Sequence, residues 1–272
     1  MSDHAPANRK VKTVIDGREI EVARDTWALD AAAKLKIRIP TLCHHAALTP
    51  YGACRLCVVE VTKGKSTWLT TACDLPIREG LSICTNSPAV LAARRMTLEL
   101  LWAQAPASEE IQALAREMGI AKPRFAARGD GENRCILCGL CVRACEQLGA
   151  GGAIGFTRRG VERTVDSPFG GQATLCIGCG SCLAVCPTGH IRGIDRAGQR
   201  RMSTWHTEME MAACESCGAL FAPLRQLEHL RPRLAEHIPI VKVCPACRRA
   251  KAAKETTLPA RPGAALIRNT RK

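Results

Sequence analysis

Residues 134–147 read RCILCGLCVRACEQ, and residues 175–188 read LCIGCGSCLAVCPT, the same cysteine rhythm repeated 41 residues further along. Each copy is a C-x2-C-x2-C-x3-C run. The short gaps let three sulfurs of one loop grip three corners of an iron-sulfur cube. The fourth cysteine, one helical turn on, points away and serves the other cube. The spacing therefore assigns Cys135, Cys138, Cys141 and Cys186 to one [4Fe-4S] cluster, and Cys145, Cys176, Cys179 and Cys182 to a second. The second run ends in Cys186-Pro187, as the two-cluster pattern asks, whereas the first ends in Cys145-Glu146; that departure bears on helix onset more than on ligation. Zinc, the competing occupant, gains nothing from three-cysteine loops of this rhythm.

Working outward, sixteen of the 17 cysteines fall into groups of four, and only Cys84 is left over. A disulfide framework has no reason to sort itself this way, whereas cluster and metal sites need four thiolates each. The first residues, MSDHAPANRKVK, lack an apolar secretory core, and no stretch approaches the length of a membrane span. The expectation is a reduced, cytoplasmic protein. With only 3% aromatic residues, its apolar cores are thin, which favours small modules built around inorganic centres.

Cys43, Cys54, Cys57 and Cys73 have gaps of ten, two and fifteen residues. They share the central C-x2-C of plant-type [2Fe-2S] sites but have a wider first gap, and a [2Fe-2S] cluster is the expected occupant, with zinc as the competitor. Gly52 and Ala53 leave room for backbone amides to approach inorganic sulfide. His44 and His45 are not needed as ligands, since four cysteines complete the site. The last quartet, Cys214, Cys217, Cys244 and Cys247, consists of two knuckle-like C-x2-C turns and reads as a zinc ribbon, with a further iron-sulfur cluster as the alternative. Cys84, inside LSICTNS, reads as a small buried residue.

The formal charge of +14 invites a nucleic-acid reading. Four thiolates around an oxidised cluster or a zinc ion leave roughly −2 per site, so four sites remove about 8 charges and leave roughly +6. The stretch from Arg248 to Lys272 holds eight basic residues against Glu255 alone. The body is then close to neutral, and the basicity sits in a tail expected to be disordered.

The elements follow from pattern. VKTVIDGREIEVA is a hairpin around Asp16-Gly17, and TWALDAAAKL is a short helix with Asp25 or Thr26 as its cap. After a turn at Pro40 come the cysteine loop and the strand CVVEVTKG. PAVLAARRMTLELLWAQ and SEEIQALAREMG are helical by period, the second starting at Ser108; KPRFAARGDGE is a linker. GAIGFTRRGVERTVDSPFG is a hairpin or loop insertion. The predicted class is α+β: a β-grasp [2Fe-2S] ferredoxin domain at 10–86, a helical linker at 87–125, a two-[4Fe-4S] ferredoxin-like domain at 126–200, a four-cysteine zinc-ribbon-like module at 205–250, and a basic tail at 251–272.

The stretch IPTLCHHAALTPYGACRLCVVEV…TACDLPIREGLSICTNS, followed by RCILCGLCVRAC, GAIGFTRRG, PFGG and LCIGCGSCLAVCPTGHI, closely resembles the N-terminal iron-sulfur region of the large iron-sulfur subunit of respiratory complex I. It also resembles the small iron-sulfur subunits of NAD-linked hydrogenases and formate dehydrogenases, and the accessory region of iron-only hydrogenases. The resemblance covers roughly residues 11–195. It implies a wire between a flavoprotein subunit that handles NAD(P)H and a second redox-enzyme subunit. Members of that family usually hold one more [4Fe-4S] cluster with one histidine and three cysteines. The matching stretch here, LELLWAQAPASEEIQALAREMG, has neither residue type, so that cluster is expected to be absent.

No hydrolytic or acid-base constellation emerges, and the glycines at 149, 151 and 152 lie inside the cluster repeat rather than between a strand and a helix. No catalytic site of the chain's own is expected, and NAD and flavin belong to a partner. Two other readings remain at this point: a free-standing polyferredoxin, and an iron-sulfur and zinc nucleic-acid-binding regulator, which the corrected charge and the aromatic-free tail disfavour.

Overall fold

The computed structural model describes residues 10–129, 131–149, 151–232, 234 and 242–256. The chain divides into two compact units. One comprises residues up to 175 with 180–193 and 203–206; the other comprises 176–179, 194–202 and the residues from 207 on.

The first unit opens with the hairpin β1 (Lys10–Ile15) and β2 (Arg18–Ala23), in register from Lys10 opposite Ala23 to Ile15 opposite Arg18. Asp16 and Gly17 turn it with φ of 48° and 77°, the left-handed pair that the tightest hairpin demands. Helix α1 (Ala28–Lys34) follows, but neither Asp25 nor Thr26 caps it. Trp27 takes the cap position with no side-chain bond, and the first amides donate instead to Leu75 O and Ala72 O at 2.8 and 3.0 Å. Tertiary carbonyls thus replace the expected cap. Thr26 Oγ1 donates back to Ala23 O, and Asp25 pairs with Arg78.

Strands β3 (Val58–Lys63), β4 (Ser66–Thr71) and β5 (Ser82–Cys84) complete a sheet of order β2-β1-β5-β3-β4, in which β1 and β5 run parallel and every other pair is antiparallel. This is the β-grasp arrangement. Its core joins Ile15, Val59, Val61, Ile77 and Ile83 to Ala31 and Ala32 of α1. Cys84, expected to be buried, is only partly so, with its Sγ 3.5 Å from Asn86 Oδ1.

Two helices come next. In α2 (Pro88–Gln104), Ser87 Oγ accepts from Val90 N–H at 3.3 Å and Pro88 occupies the first turn, where its missing N–H costs nothing. In α3 (Glu109–Glu117), Ser108 Oγ accepts from Ile111 N–H at 3.4 Å, with Glu109 and Glu110 beside the positive helix end. The connection after α3 folds back on α2, through Arg124 to Glu99 at 2.6 Å and Arg128 N–H to Ala103 O at 2.8 Å. Helices α4 (Leu140–Gln147) and α5 (Ser181–Ala184) each start from a left-handed glycine, Gly139 and Gly180. The intervening segment forms a hairpin of β6 (Gly155–Thr157) and β7 (Thr164–Asp166). A second core gathers Leu42, Leu56, Leu98, Ile111, Ala115, Ile136, Leu140 and Ala144.

The second unit is an antiparallel sheet of order β11-β10-β9-β8, made of β8 (Ile194–Arg196), β9 (Gln199–Met202), β10 (Thr207–Ala213) and β11 (Leu220–Pro223), with α6 (Leu224–Leu230) and α7 (Pro245–Thr256). Its sheet begins at Ile194, ahead of the expected edge at 205, because β8 and β9 form their own hairpin through Ala197-Gly198. Helix α7 runs past the expected start of the tail at 251. Alanine, lysine and arginine are strong helix formers, and Pro245 sits at the permissive first turn. Residues 257–272, the rest of that tail, lie outside the described residues. Among the described residues no helix is long and apolar enough to cross a membrane.

Candidate metal centres

The quartet of Cys43, Cys54, Cys57 and Cys73 is built from two loops and a hairpin. Antiparallel pairing of Val58 with Thr71 and the bond from Ala72 N–H to Cys57 O at 3.0 Å hold Cys57 and Cys73 side by side. Across from them, Cys54 N–H donates to Cys43 Sγ at 3.4 Å. All four are at most 2% exposed, and they join the two cores: Cys57 and Cys73 pack in the first, Cys43 and Cys54 in the second.

The four thiols touch in the order Cys54, Cys43, Cys73, Cys57. The Cys43 thiol is pushed down to about 2, first by the hydrogen bond with Cys54 and then by that with Cys73. Cys57 is lowered to about 7, chiefly by Cys73. Cys54 and Cys73 are both raised, in each case first by the bond to Cys43. Four packed sulfurs out of water therefore lose all their protons only against cations. Backbone amides are already aimed at the sulfurs: Ala53 and Cys54 at Cys43, Leu56 and Leu42 at Cys54, Cys73 and Ala72 at Cys57. Gly52 has a left-handed φ of 64°, where any other side chain is strained, and a Cβ there would lie 2.6 Å from Asp74 Oδ2, which would have to shift. Buried, hydrogen-bonded and paired in this way, the quartet fits a [2Fe-2S] group. His45 Nδ1 accepts from Ala47 N–H at 3.2 Å and is thus engaged in its own loop.

Two buried arginines beside this quartet escaped the sequence reading. Arg94 of α2, 6% exposed, donates through Nε and Nη2 to Val58 O at 3.2 and 2.7 Å. Burial pushes its guanidinium down, while the charges of Cys57 and Asp16 pull it back up. Arg143 of α4 donates to Cys43 O at 2.7 Å and Thr49 O at 2.5 Å, with its guanidinium 5.4 Å from the Tyr51 ring centre. A signal existed for Arg94: it stands four residues from both Val90 and Leu98, on the buried stripe of α2.

The four cysteines that the spacing assigns to a first cubane lie around one space. Cys135, Cys138, Cys141 and Cys186 line one cavity, walled also by Ile136, Val165, Ile191 and Trp205. Three sulfurs come from the first run and the fourth from the second. Leu137 and Gly139 adopt left-handed φ of 54° and 69°, which folds the loop so that Leu137 N–H donates to Cys135 Sγ at 3.4 Å. A Cβ on Gly139 would lie 3.1 Å from the Phe156 ring and 3.2 Å from that of Tyr51. Burial raises Cys135, raises Cys138 to about 12 and raises Cys141 further. Thiolates in this cavity therefore need positive ions to stabilise them, and the donor set fits a [4Fe-4S] group.

The other four cysteines of the repeat fall in different units: Cys145 and Cys182 in the first, Cys176 and Cys179 in the second. In the second unit the loop repeats the first one's conformation, with Gly178 at φ of 70° and its N–H on Cys176 Sγ at 3.4 Å. Arg200 of β9 clamps it through Gly178 O at 2.8 Å while forming a two-bond pair with Asp195 at 2.7 Å each.

Cys214, Cys217, Cys244 and Cys247 lie with all four sulfurs within 4.8 Å of one another, the one such cluster of metal-ligating side chains among the described residues. Ser216 N–H and Cys244 N–H donate to Cys214 Sγ at 3.4 and 3.2 Å, and Cys247 N–H to Cys244 Sγ at 3.4 Å. Led by the Cys244 amide, these bonds hold Cys214 down to about 6, whereas the bond with Cys217 pushes Cys247 up to about 12. Four thiolates at zinc-sulfur bond length define a tetrahedron with an edge of ~3.8 Å, and Cys217 Sγ to Cys244 Sγ measures 3.8 Å. The set fits zinc.

Comparison with known proteins defines the class. Residues 8–88 match the 2Fe-2S iron-sulfur cluster binding domain family, and residues 134–190 and 171–219 match 4Fe-4S dicluster domain families. The chain is thus an iron-sulfur protein with a [2Fe-2S] ferredoxin domain followed by a dicluster domain.

Its relatives narrow this further. It is 33% identical over 76% of its length to the NADPH-Fe(3+) oxidoreductase subunit alpha of Geobacter sulfurreducens, covering 26% of that protein. It is 27% identical over 66% to the NADH-ubiquinone oxidoreductase 75 kDa subunit of Reclinomonas americana, covering 29% of it. It is 34% identical over 64% to the NADP-reducing hydrogenase subunit HndD of Solidesulfovibrio fructosivorans, covering 34% of that protein. The chain therefore spans between a quarter and about a third of these curated relatives. Among solved structures, a chain of the NAD+-reducing [NiFe]-hydrogenase in the H2-reduced state is similar, with 26% identity and a TM-score of 0.52 over 80% of this chain and 96% of that one. Over the residues matched, the chain is thus similar to iron-sulfur subunits of NAD(P)H-linked oxidoreductases.

Proposed function

We propose that this chain is the electron-transfer subunit, or the electron-transfer region, of an NAD(P)H-linked oxidoreductase. In this reading it passes single electrons between a flavoprotein that handles NAD(P)H and a second redox enzyme such as a hydrogenase or formate dehydrogenase. The observation that carries the reading is the cavity lined by Cys135, Cys138, Cys141 and Cys186 within one unit that also holds the buried quartet of Cys43, Cys54, Cys57 and Cys73. Buried iron-sulfur groups exchange electrons without making or breaking covalent bonds. The protein's part is to set potential through hydrogen bonds, burial and charge.

The cofactors in this reading are one [2Fe-2S] on Cys43, Cys54, Cys57 and Cys73, one [4Fe-4S] on Cys135, Cys138, Cys141 and Cys186, one [4Fe-4S] on Cys145, Cys176, Cys179 and Cys182, and zinc on Cys214, Cys217, Cys244 and Cys247. The compact sulfur tetrahedron supports zinc over a fourth cluster, because a cubane must hold its thiolates apart by the width of the iron core. A closed four-thiolate zinc has no open coordination position, so its role is structural. A reduced, cytoplasmic setting keeps these thiols available for metal.

Anaerobically prepared protein is expected to contain about ten irons per chain. Replacing Cys182 with Ala abolishes one cubane signal in electron paramagnetic resonance and leaves the [2Fe-2S] signal in place. Protein that holds zinc alone, with no visible absorption from iron-sulfur charge transfer, refutes the proposal. Recovery of the chain from its native source with flavin-containing and metalloenzyme subunits tests the partners.

A further inference from the structure

We propose that Trp205 donates a hydrogen bond to the sulfur of Cys182 and by that bond raises the potential of the cubane Cys182 holds; this rests on the ligand assignment above. Trp205 is 1% exposed, and its Nε1 lies 3.5 Å from Cys182 Sγ. Its ring also walls the cavity of Cys135, Cys138, Cys141 and Cys186. One side chain thus touches a ligand of one cluster and the cavity of the other.

The placement is fixed rather than incidental. Trp205 ends a short 3-10 turn, Ser203–Trp205. Trp205 O accepts from Ala173 N–H at 3.2 Å, Ser203 Oγ donates to Arg192 O at 3.2 Å, and Thr204 Oγ1 accepts from Arg192 N–H at 2.9 Å. The indole N–H is a donor only, and buried indoles are normally hydrogen-bonded. Its bond strengthens as negative charge on the acceptor grows. One-electron reduction adds one negative charge to the cluster and its thiolates, breaks no bond and moves no proton from the indole, so the donor favours the reduced state.

Trp205→Phe keeps a ring and deletes the donor. In the full chain with its clusters, the cubane that Cys182→Ala abolishes is expected to shift to lower potential, by about tenfold in its reduction equilibrium, which is roughly 59 mV for one electron. The other cubane and the [2Fe-2S] centre stay in place, and Trp68→Phe, at an exposed residue of β4, shifts nothing. In wild-type protein carrying tryptophan labelled with 15N in the indole ring, pulsed electron paramagnetic resonance is expected to detect a 15N coupling to that same reduced cubane. This second measurement decides the matter should the Phe variant fail to assemble. An unshifted potential, or no 15N coupling, overturns the role of Trp205 while leaving the ligand assignment intact. A wild-type protein with no cubane signal overturns the assignment itself.

Discussion

A guanidinium buried against a cysteine quartet is an expensive arrangement that only a compensating negative charge makes stable. Arg94 and Arg143 occupy such positions, each bonded to the carbonyl of a residue in or next to the [2Fe-2S] quartet, Val58 and Cys43. The four-thiolate [2Fe-2S] centre proposed for this quartet would supply that negative charge, and the cations would in turn favour its reduced form. Arg94→Met is therefore expected to lower the [2Fe-2S] potential in a redox titration. It also leaves Val58 O without its donors, at a cost of about 1–3 kcal/mol in stability. Arg94→Lys should recover part of the potential but less of the stability, because an ammonium does not reproduce the two-nitrogen fork. A potential unchanged in both variants removes Arg94 from any electrostatic role.

At the scale of elements, three of the cysteine loops share one device. In each, the residue two positions after the first cysteine turns its amide onto that cysteine's sulfur: Leu137 onto Cys135, Gly178 onto Cys176, Ser216 onto Cys214. The loop conformation requires positive φ at Leu137, Gly139, Gly178 and Gly180, but the packing around these positions differs. A Cβ on Gly178 would lie 2.9 Å from Met209 Sδ and 3.0 Å from Pro223 Cγ, whereas one on Gly180 meets none of the described atoms within 4 Å. Gly180→Ala should cost only the backbone penalty, about 1 kcal/mol. Gly178→Ala should cost clearly more and loosen the β10–β11 pair, seen as faster exchange of the Cys214 amide, which donates to Ala219 O at 2.9 Å where the two strands meet. Equal costs for the two substitutions mean that backbone conformation alone, and not the closeness of β10 and β11, makes Gly178 necessary. Helix α4 has a second task besides carrying Cys141 and Cys145: Arg143 and Gln147 both bond Thr49, tying the loop after Cys43 to the helix of the cubane ligands.

For the molecule as a whole, the proposed reading divides the labour between two kinds of inorganic centre, iron-sulfur groups that move electrons and a zinc ion that holds structure. Iron and zinc should then respond to separate substitutions. Cys244→Ser removes a buried thiol at one corner of the C-terminal tetrahedron, and is expected to lower zinc by one per chain with iron unchanged. Because a structural zinc site contributes its binding energy directly to folding, limited proteolysis should then cut between residues 207 and 256 first. Loss of iron instead of zinc in this variant identifies the site as a further cluster.

Cysteine spacing alone marked three groups of thiols that the structure places together, Cys43 with Cys54, Cys57 and Cys73, Cys135 with Cys138, Cys141 and Cys186, and Cys214 with Cys217, Cys244 and Cys247, because ligation by one rigid inorganic core admits few gap lengths between donors. The hairpin at Asp16-Gly17 and the helix starts at Ser87 and Ser108 were equally legible, since turn and cap chemistry acts within four residues of chain. The start of α1 was not, because its first amides bond carbonyls more than forty residues away, at Ala72 and Leu75. Nor did any local pattern mark Trp205 as a neighbour of Cys182 or Arg143 as a neighbour of Cys43. Their roles depend on which residues distant in sequence share a wall, and that is settled only when the two cores close around the sulfurs.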